Sequence, residues 1–283
     1  MICCCEGRSE VKVFDTVKLY SFELACRLFL SLDDPKHVAE LGSLFNTFLK
    51  GLGQQNASSF EDLLSHLLLS SDENSRFLSE TEIANNILLL LFAGHDTSAV
   101  SITLLMKSLG EHPRVYQNVL KEQLGILEGK APGEMLNWED IQKMRYSWNV
   151  VCEVLRLNPP MTGAFREALV DFEYAGYTIP EGWKIIWSAA MTHKEENNFP
   201  DVNKFDPSRF EGTGPTPFTY VPFGGGPRMC LGKELARVQV LVFLHNIVTK
   251  FKWDLLITDE KIEYDPLATP VKGLPIRLHP HQV

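Results

Sequence analysis

Apolar residues recur at intervals of three and four along most of the first 160 residues, and polar or proline-containing breaks separate the apolar runs. This spacing is typical of helices that pack one face against a core. The polar segment 53–59 predicts a linker, and Pro159 with Pro160 ends the last helix, because proline lacks the amide that a helix interior needs. The predicted helices lie at 17–32, 38–52, 60–69, 79–109, 113–127 and 137–157.

Two of these helices carry a capping signal at their start. Ser79 stands three residues before Glu82, and Asn137 stands three residues before Asp140. In a capping box each of the two side chains accepts a hydrogen bond from the backbone amide of the other residue, which satisfies amides that a helix start leaves unpaired. We therefore expect helices to begin directly after Ser79 and Asn137.

After residue 160 the pattern changes to short runs that are typical of strands. Residues 165–190 read as strands, with turns at Gly176 and at 180–182. A stretch rich in loops then precedes a last predicted helix at 232–250 and short strands at 274–279. The whole pattern predicts a mainly α fold with a minor β-sheet.

Composition narrows the class of protein. The chain has 283 residues, 45% hydrophobic and 22% charged, with a net charge of −9. This acidic excess argues against nucleic acid as a partner, because phosphate binding requires a basic surface. The six cysteines form no spaced framework, which predicts a reducing compartment. No uninterrupted apolar run approaches the roughly 18–20 residues of a membrane span, so we expect no anchor in this chain.

The sequence VPFGGGPRMCLGKELARV, residues 221–238, places Cys230 after a glycine-rich loop and before an apolar helix. Phosphate binding is one alternative, but a P-loop needs four residues between its glycine and its Gly-Lys pair, followed by Ser or Thr. Here five residues separate Gly226 from Gly232, and a glutamate follows the lysine, so this alternative fails. A nucleophilic cysteine would need a histidine base, which the sequence does not supply nearby and does not exclude.

Metal ligation fits this loop better. A thiolate at a helix N-terminus is stabilised by the helix dipole and by unpaired amides. The glycines let the backbone approach a flat ligand, and their amides can hydrogen-bond a sulfur that is bound to a metal. Arg228, two residues before Cys230, could then reach an anionic group at the edge of that ligand.

A second motif, AGHDTS at 93–98, lies inside the helix predicted at 79–109. The preceding residues 87–93 are apolar on all sides, which predicts that this part of the helix is buried. Polar residues in such a place need partners or a function. Thr97 can donate back to the carbonyl of the residue four before it, and Asp96 with Thr97 can hold and transfer protons.

A third feature is the pair Glu153 and Arg156, three residues apart in WNVVCEVLRLNPP. As an exposed pair it would contribute only about 0.2–0.5 kcal/mol to helix stability. Its neighbours Val150, Val154 and Leu157 are apolar, so we expect at least part of this helix to be buried. A buried ion pair needs further hydrogen bonds to be tolerated.

The cysteine loop resembles the haem-binding signature of the cytochromes P450. Phe223, Gly226, Arg228, Cys230 and Gly232 stand as F-x-x-G-x-R-x-C-x-G. The resemblance implies that the chain has the C-terminal core of the P450 fold and that this loop binds haem b. It further implies that Cys230 is the axial thiolate ligand of the iron and that Arg228 pairs with a haem propionate.

The other two motifs are similar to features of the same family. Asp96 and Thr97 resemble the acid–alcohol pair that relays protons to dioxygen. Glu153, Arg156 and the Arg209 of FDPSRF resemble the structural triad that locks the loops beneath the haem. These roles are what the resemblance implies for each residue.

Arg166 matches a second family position that pairs with a haem propionate; an exposed strand arginine without such a role is the alternative. In detail the chain looks like plant P450s that oxidise terpenoids, the triterpene and taxane hydroxylases. This implies a monooxygenase at the endoplasmic reticulum membrane that takes O2, a lipophilic substrate, and electrons from an NADPH–P450 reductase. A peroxide-rearranging enzyme is an alternative, but such an enzyme does not need the acid–alcohol pair.

The sequence departs from the family pattern in two places. We expect no membrane anchor before Met1, with a soluble protein as the alternative to a membrane-bound one. Near residue 52 the chain passes almost directly to the segment before the long helix, so we expect the helices that roof the substrate pocket to be missing. A truncated remnant that binds haem poorly or not at all, or an incomplete gene model, is the alternative. We expect one incomplete P450 domain over 1–283, with N-terminal helices at 1–52, a linker at 53–59 and the catalytic core at 60–283.

Overall fold

The structure is a computed structural model that describes residues 10–30, 63–71, 75–131 and 133–281. The helix predicted at 38–52 and the linker predicted at 53–59 lie outside these residues. The described residues belong to two compact units. The first unit covers Asp15–Ala99, and the second covers Val100–Val283 together with the segment that ends at Phe14.

The first unit is built from helices. They are α1 (Val13–Leu30), α2 (Leu63–Leu69) and α3 (Glu80–Glu111), of which α1 begins and α3 ends in the second unit. Helix α1 starts four residues before the predicted position, because Val13 and Val17 are both buried and extend its apolar face by one turn. The apolar faces of the three helices meet in one cluster, formed by Ala25, Cys26, Leu30, Leu64, Ile83, Ile87 and Leu91.

Helix α3 starts with the capping box that the sequence predicts. The Ser79 amide donates to Glu82 Oε2 at 2.9 Å, and the Glu82 amide donates to Ser79 Oγ at 3.3 Å. The side chain of Arg76 also donates to Glu82. These hydrogen bonds hold the pKa of Glu82 at about 2, well below its usual value, with the Ser79 side chain as the largest cause.

The expectation that α3 is buried on all sides is wrong. Ile87 and Leu91 are buried, whereas Leu89 and Phe92 are 62% and 60% exposed. The packing helices cover one face, and the apolar run continues onto the opposite face. Among the described residues α3 is also long and apolar enough to cross a membrane, but half of the qualifying window is buried in protein, as in the core helix of a soluble domain.

The helices of the second unit follow α3 directly. The predicted helix at 137–157 is in fact two helices, because Met144 leaves the helical conformation at ψ 52°. The side chain of Glu122 accepts the amides of Tyr146 and Ser147 at 2.7 and 2.9 Å, which starts a new helix at this point. The helices are α4 (Pro113–Glu128), α5 (Trp138–Lys143), α6 (Arg145–Leu157), α7 (Ala189–Thr192) and α8 (Lys233–Val248).

The strands of the second unit form small antiparallel sheets. The three-stranded sheet has the order β1-β9-β6, and the two-stranded sheets are β2–β5, β3–β4 and β7–β8. The sheet β2–β5 precedes the cysteine loop and pairs Ala164 with Trp187. The strands are β1 (Val11–Lys12), β2 (Gly163–Glu167), β3 (Phe172–Tyr174), β4 (Tyr177–Ile179), β5 (Lys184–Ser188), β6 (Phe251–Leu255), β7 (Ile262–Tyr264), β8 (Ala268–Pro270) and β9 (Pro275–Pro280).

A charged pair lies in the core of the second unit. Glu153 and Arg156 on α6 are both fully buried. Arg156 donates from Nε to Glu153 Oε2 at 2.7 Å and from Nη2 to Glu153 Oε1 at 2.8 Å. Its remaining donors reach the carbonyls of His193 at 3.1 Å and Lys204 at 3.3 Å. This two-point geometry is the strongest form of an arginine–carboxylate contact.

The carboxylate of Glu153 has further partners on the loop that follows α7. Its Oε1 accepts the amide of Asp206 at 2.9 Å, and Nε of Arg209 lies 3.5 Å away. Arg209 also donates from Nη2 to the carbonyl of Asp201 at 3.1 Å. The structure thus brings Glu153, Arg156 and Arg209 together, and it compensates the burial of the charges with several hydrogen bonds.

Replacing Arg156 by leucine should lower the free energy of unfolding by about 3–5 kcal/mol, because the Glu153 carboxylate would stay buried without its partner. Urea unfolding followed by circular dichroism measures this change. Arg114→Leu is the control, since Arg114 is an exposed arginine on α4 and its loss should change stability by less than about 0.5 kcal/mol. Equal losses in the two variants would contradict the central role of the pair.

Gly163→Ala should destabilise the two-stranded sheet β2–β5, by about 1–3 kcal/mol. A Cβ at Gly163 would lie 2.1 Å from the backbone oxygen of Trp187, which cannot move without breaking the strand pairing. Gly125→Ala, in the middle of α4 with open space around it, should instead stabilise the protein by about 0.5–1 kcal/mol. Thermal denaturation of both variants checks the opposite signs, and a shift of the same sign would refute this account.

Candidate functional site

The cysteine loop is a tight turn that depends on its glycines. A short 3-10 turn covers Gly226–Arg228, and both Gly224 (φ 73°) and Gly226 (φ 66°) adopt the left-handed conformation that favours glycine. The amide of Cys230 donates to the carbonyl of Phe223 at 2.9 Å and closes the loop. The loop therefore fixes the backbone position of Cys230.

The thiol of Cys230 is free and exposed. Gly232, two residues later, is the N-cap of helix α8, and no side chain caps the first amides of the helix. A Cβ at Gly232 would lie 3.8 Å from the Cys230 sulfur, so the sulfur lies against the start of the helix. An uncapped helix N-terminus stabilises a thiolate, which is the form that binds a metal.

The described residues contain no group of three or more His, Cys, Asp and Glu side chains that could hold a metal ion. A lone exposed thiolate can therefore ligate a metal only if a cofactor supplies the other ligands. The neighbouring Leu231 is 96% exposed and Met229 is 46% exposed, so the loop also offers an apolar surface. This combination fits a haem, whose macrocycle is flat and largely apolar.

The two-stranded sheet β2–β5 contacts the cysteine loop through a residue that sequence analysis missed. The ring of Trp187 lies 3.6 Å from the position that a Cβ of Gly224 would occupy. Trp187 on β5 pairs with Ala164 on β2, and Arg166 lies two residues after Ala164 on β2. An indole in a short strand gave no sequence signal, because only the fold places it against the loop.

Two exposed arginines of the second unit are candidates for binding anionic groups. Arg166 donates from Nη1 to the carbonyl of its neighbour Phe165 at 2.7 Å, and Arg228 lies in the 3-10 turn before Cys230. Within the described ranges neither arginine forms an ion pair with a carboxylate. Both arginines therefore stay candidates for binding an anionic ligand, and an exposed arginine without a ligand is the alternative for Arg166.

His193 connects the buried ion pair to the cysteine loop. Its carbonyl accepts Arg156, and its Nε2 accepts the amide of Val221 at 2.8 Å. Burial lowers the pKa of His193 to about 4, so the ring is neutral near pH 7 and Nε2 can act as an acceptor. Sequence analysis did not identify His193, because a single histidine in a loop has no distinctive pattern.

The AGHDTS motif lies on α3 in the first unit. Thr97 Oγ1 donates to the carbonyl of Ala93 at 2.6 Å, which is the back-bonded arrangement that the sequence suggested. Asp96 Oδ1 lies 2.8 Å from Lys18 Nζ and 3.3 Å from His95 Nδ1. Lys18 is a third residue that sequence analysis missed, since a lysine on an amphipathic helix is usually solvated.

Burial is the largest influence on His95. It lowers the pKa of the ring, Asp96 opposes this effect, and the charge of Lys18 adds to it. The ring also contacts Phe22 edge to face, with centroids 5.5 Å apart. The motif is therefore a polar cluster between α1 and α3, in which His95 and Asp96 both contact residues of α1.

The predicted site residues divide between the two units. Asp96 and Thr97 belong to the first unit. The second unit contains the cysteine loop, the arginines and the buried triad, and it brings Phe223, Gly226, Arg228, Cys230 and Gly232 into one turn.

Comparison with known proteins identifies the family. The family model of cytochrome P450 matches residues 36–277. The chain is 51% identical, over 98% of its length, to the β-amyrin 28-monooxygenase CYP716A378 of Saponaria officinalis, and 48% identical, over 96%, to a β-amyrin 6-beta-monooxygenase of Solanum lycopersicum. It spans 64% of the length of each of these relatives. The first alignment runs over 313 residues against 283 in this chain, so at least 30 aligned positions have no counterpart here.

A solved structure agrees with this match. The retinoic acid-bound cyanobacterial CYP120A1 is 32% identical and has a TM-score of 0.87, covering 99% of this chain and 71% of that chain. This confirms the predicted fold class, mainly α with a minor β-sheet. Together with the geometry of the cysteine loop, these matches show that the chain belongs to the cytochrome P450 family, whose cofactor is a haem with a cysteine thiolate ligand.

Proposed function

We propose that the protein is a haem-thiolate monooxygenase that hydroxylates a lipophilic triterpene of the β-amyrin type. It uses O2 and takes electrons from an NADPH–P450 reductase. The observation that carries this proposal is the exposed Cys230 thiol, held by a glycine turn at the uncapped start of α8. Relatives of nearly equal identity are named for two different positions of β-amyrin, so the proposal extends to the substrate class and not to the carbon attacked.

Each residue of the cysteine loop has a role in holding the cofactor. Cys230 ligates the iron, and the carbonyl of Phe223 fixes its amide. Gly226 and Gly232 keep the backbone free of side chains on either side of the sulfur, and Arg228 with Arg166 binds the propionates. The haem, when bound, activates O2 for insertion into a C–H bond, and its thiolate ligand favours O–O cleavage.

Asp96 and Thr97 hold and move the protons that this chemistry consumes. Thr97 Oγ1 donates its proton to the carbonyl of Ala93. The same oxygen can accept a hydrogen bond from a water molecule. Asp96 exchanges protons with solvent through its partly exposed carboxylate, whose side chain is 15% exposed. A relay through a carboxylate, a water and a hydroxyl is a form of general acid catalysis.

We also propose that residues 1–283 form one incomplete P450 domain, with N-terminal helices at 1–52, the missing segment at the linker 53–59 and the core at 60–283. The 30 or more aligned positions that lack a counterpart support a missing internal segment. By resemblance to the plant P450s we propose the endoplasmic reticulum membrane as the location. The apolar helix α3 lends this location little support, since half of its qualifying window is buried.

Cys230→Ala should abolish thiolate ligation. Purified protein that has been loaded with haem and reduced under carbon monoxide should show the red-shifted Soret band of a thiolate-ligated haem, and the variant should not. Cys26→Ala is the control, because Cys26 is buried in the apolar cluster of the first unit and should not affect the band. An unshifted or absent band in the unaltered protein would instead favour a remnant that does not hold haem.

Thr97→Ala should uncouple electron consumption from product formation. With a reductase, NADPH and β-amyrin, we expect NADPH oxidation to continue while product per NADPH falls by at least about tenfold and peroxide rises, because the proton relay is broken. Thr97→Ser keeps the hydroxyl and should retain most of the product. Unchanged product yield in Thr97→Ala would remove Thr97 from the mechanism.

A further inference from the structure

Helix α1 contacts three consecutive residues of the AGHDTS motif. Lys18 pairs with Asp96, and Phe22, one turn further along α1, packs against His95. Two turns later the ring of Phe29 lies 3.7 Å from the position that a Cβ of Gly94 would occupy. One face of α1 thus contacts Asp96, His95 and Gly94 in turn. The sequence did not predict a catalytic role for this helix.

Lys18 contacts the motif at two points. Its ammonium lies 2.8 Å from Asp96 Oδ1, and its backbone forms a hydrogen bond with the ring of His95. The side chain of Asp96 is only 15% exposed and that of Lys18 is 38% exposed, so solvent screens this pair less than it screens a pair on an open surface. Lys18 of α1 therefore holds both His95 and Asp96, which are neighbours in the motif.

Lys18, and not His95, supplies the charge that balances Asp96. Burial lowers the pKa of His95, so its ring is neutral near pH 7 and acts as a hydrogen-bonding group. Asp96 and Lys18 are the charged groups that act on His95 among the described residues. Without Lys18, the partner that Asp96 keeps among the described residues is the neutral ring of His95 at 3.3 Å, and the carboxylate would be free to change its rotamer.

We propose that Lys18 is the positioning residue of Asp96: its ammonium, 2.8 Å from Oδ1, orients the carboxylate, so that proton delivery depends on a residue of α1. Lys18 acts through Asp96 alone in this role. The inference rests on the proposed monooxygenase function and adds to it a residue on a different helix. It also accounts for a lysine that lies beside a largely buried carboxylate.

The test compares four variants of the haem-loaded protein. Lys18→Met removes the charge and keeps the apolar stem, and Lys18→Arg keeps the charge. Asp96→Asn reports on the relay itself, and Lys121→Met is the matched control, because Lys121 is an exposed lysine on α4. Should Lys18→Met fail to fold, Lys18→Gln replaces it with the same expected results.

Two readouts are needed. The first is the NMR titration of the 15N-labelled His95 ring, which is independent of turnover: Lys18→Met should raise the pKa of His95, because the charge that lowers it is gone. The second is product per NADPH with a reductase and β-amyrin. We expect a drop of about fivefold in Lys18→Met and of less than about twofold in Lys18→Arg and Lys121→Met.

The outcomes separate the inference from the function on which it rests. If Asp96→Asn lowers product per NADPH while Lys18→Met leaves it unchanged, the inference is overturned and the monooxygenase stands. A loss in Lys18→Arg equal to that in Lys18→Met also overturns it, since a charge at this position should suffice. If product forms equally well in Asp96→Asn, the relay of the proposed function fails, and the role of Lys18 fails with it.

Discussion

The fully buried pair of Glu153 and Arg156 is the interaction on which the second unit depends. Two charges without solvent contact are costly, and their mutual attraction offsets this cost only when every remaining donor and acceptor is also satisfied. The partners are backbone groups of His193, Lys204 and Asp206, which lie far from α6 in the sequence. A shift of any of these loops would leave a charge without compensation, so the pair fixes their positions.

The same network extends to the chemistry. His193 joins Arg156 to Val221, where the cysteine loop begins, and the loop closes on itself through Phe223 and Cys230. A chain of hydrogen bonds therefore runs from the core of the unit to the proposed haem ligand. The AGHDTS motif is held differently, by an ion pair and aromatic contacts between two helices. The hydrogen-bond network around Arg156 and His193 is suited to hold a metal ligand, Cys230, in a fixed position. The ion pair of Lys18 and Asp96 is suited to hold groups that exchange protons.

Much of this architecture could be predicted from the sequence. The capping boxes at Ser79 and Asn137 are decided by residues three apart, and local pattern was enough to locate both helix starts. The break at Met144 could not be predicted, because it depends on Glu122 from another helix. The exposed face of α3 was also missed, since an apolar run shows that a helix can be buried and not how much of it is covered.

The residues of the candidate site also divide into those that local sequence pattern identifies and those that depend on distant contacts. The spacing around Cys230 and the motif at Asp96 were visible because their residues are neighbours in the chain. Trp187, His193 and Lys18 were not identified, because each acquires its role from a contact with a distant segment. Residue type did not indicate a role either, because a tryptophan in a strand, a histidine in a loop and a lysine on a helix surface are all common.

The neutral ring of His193 makes the network sensitive to acid. An unfolded histidine takes up a proton near pH 6.5, whereas His193 in the folded protein does so only near pH 4. As the pH falls between these values, the unfolded chain binds a proton that the native chain does not, and stability is lost progressively. A protonated Nε2 can no longer accept the amide of Val221. Below about pH 4 the native ring itself would take up a proton, and the connection between the buried ion pair and the cysteine loop would be lost.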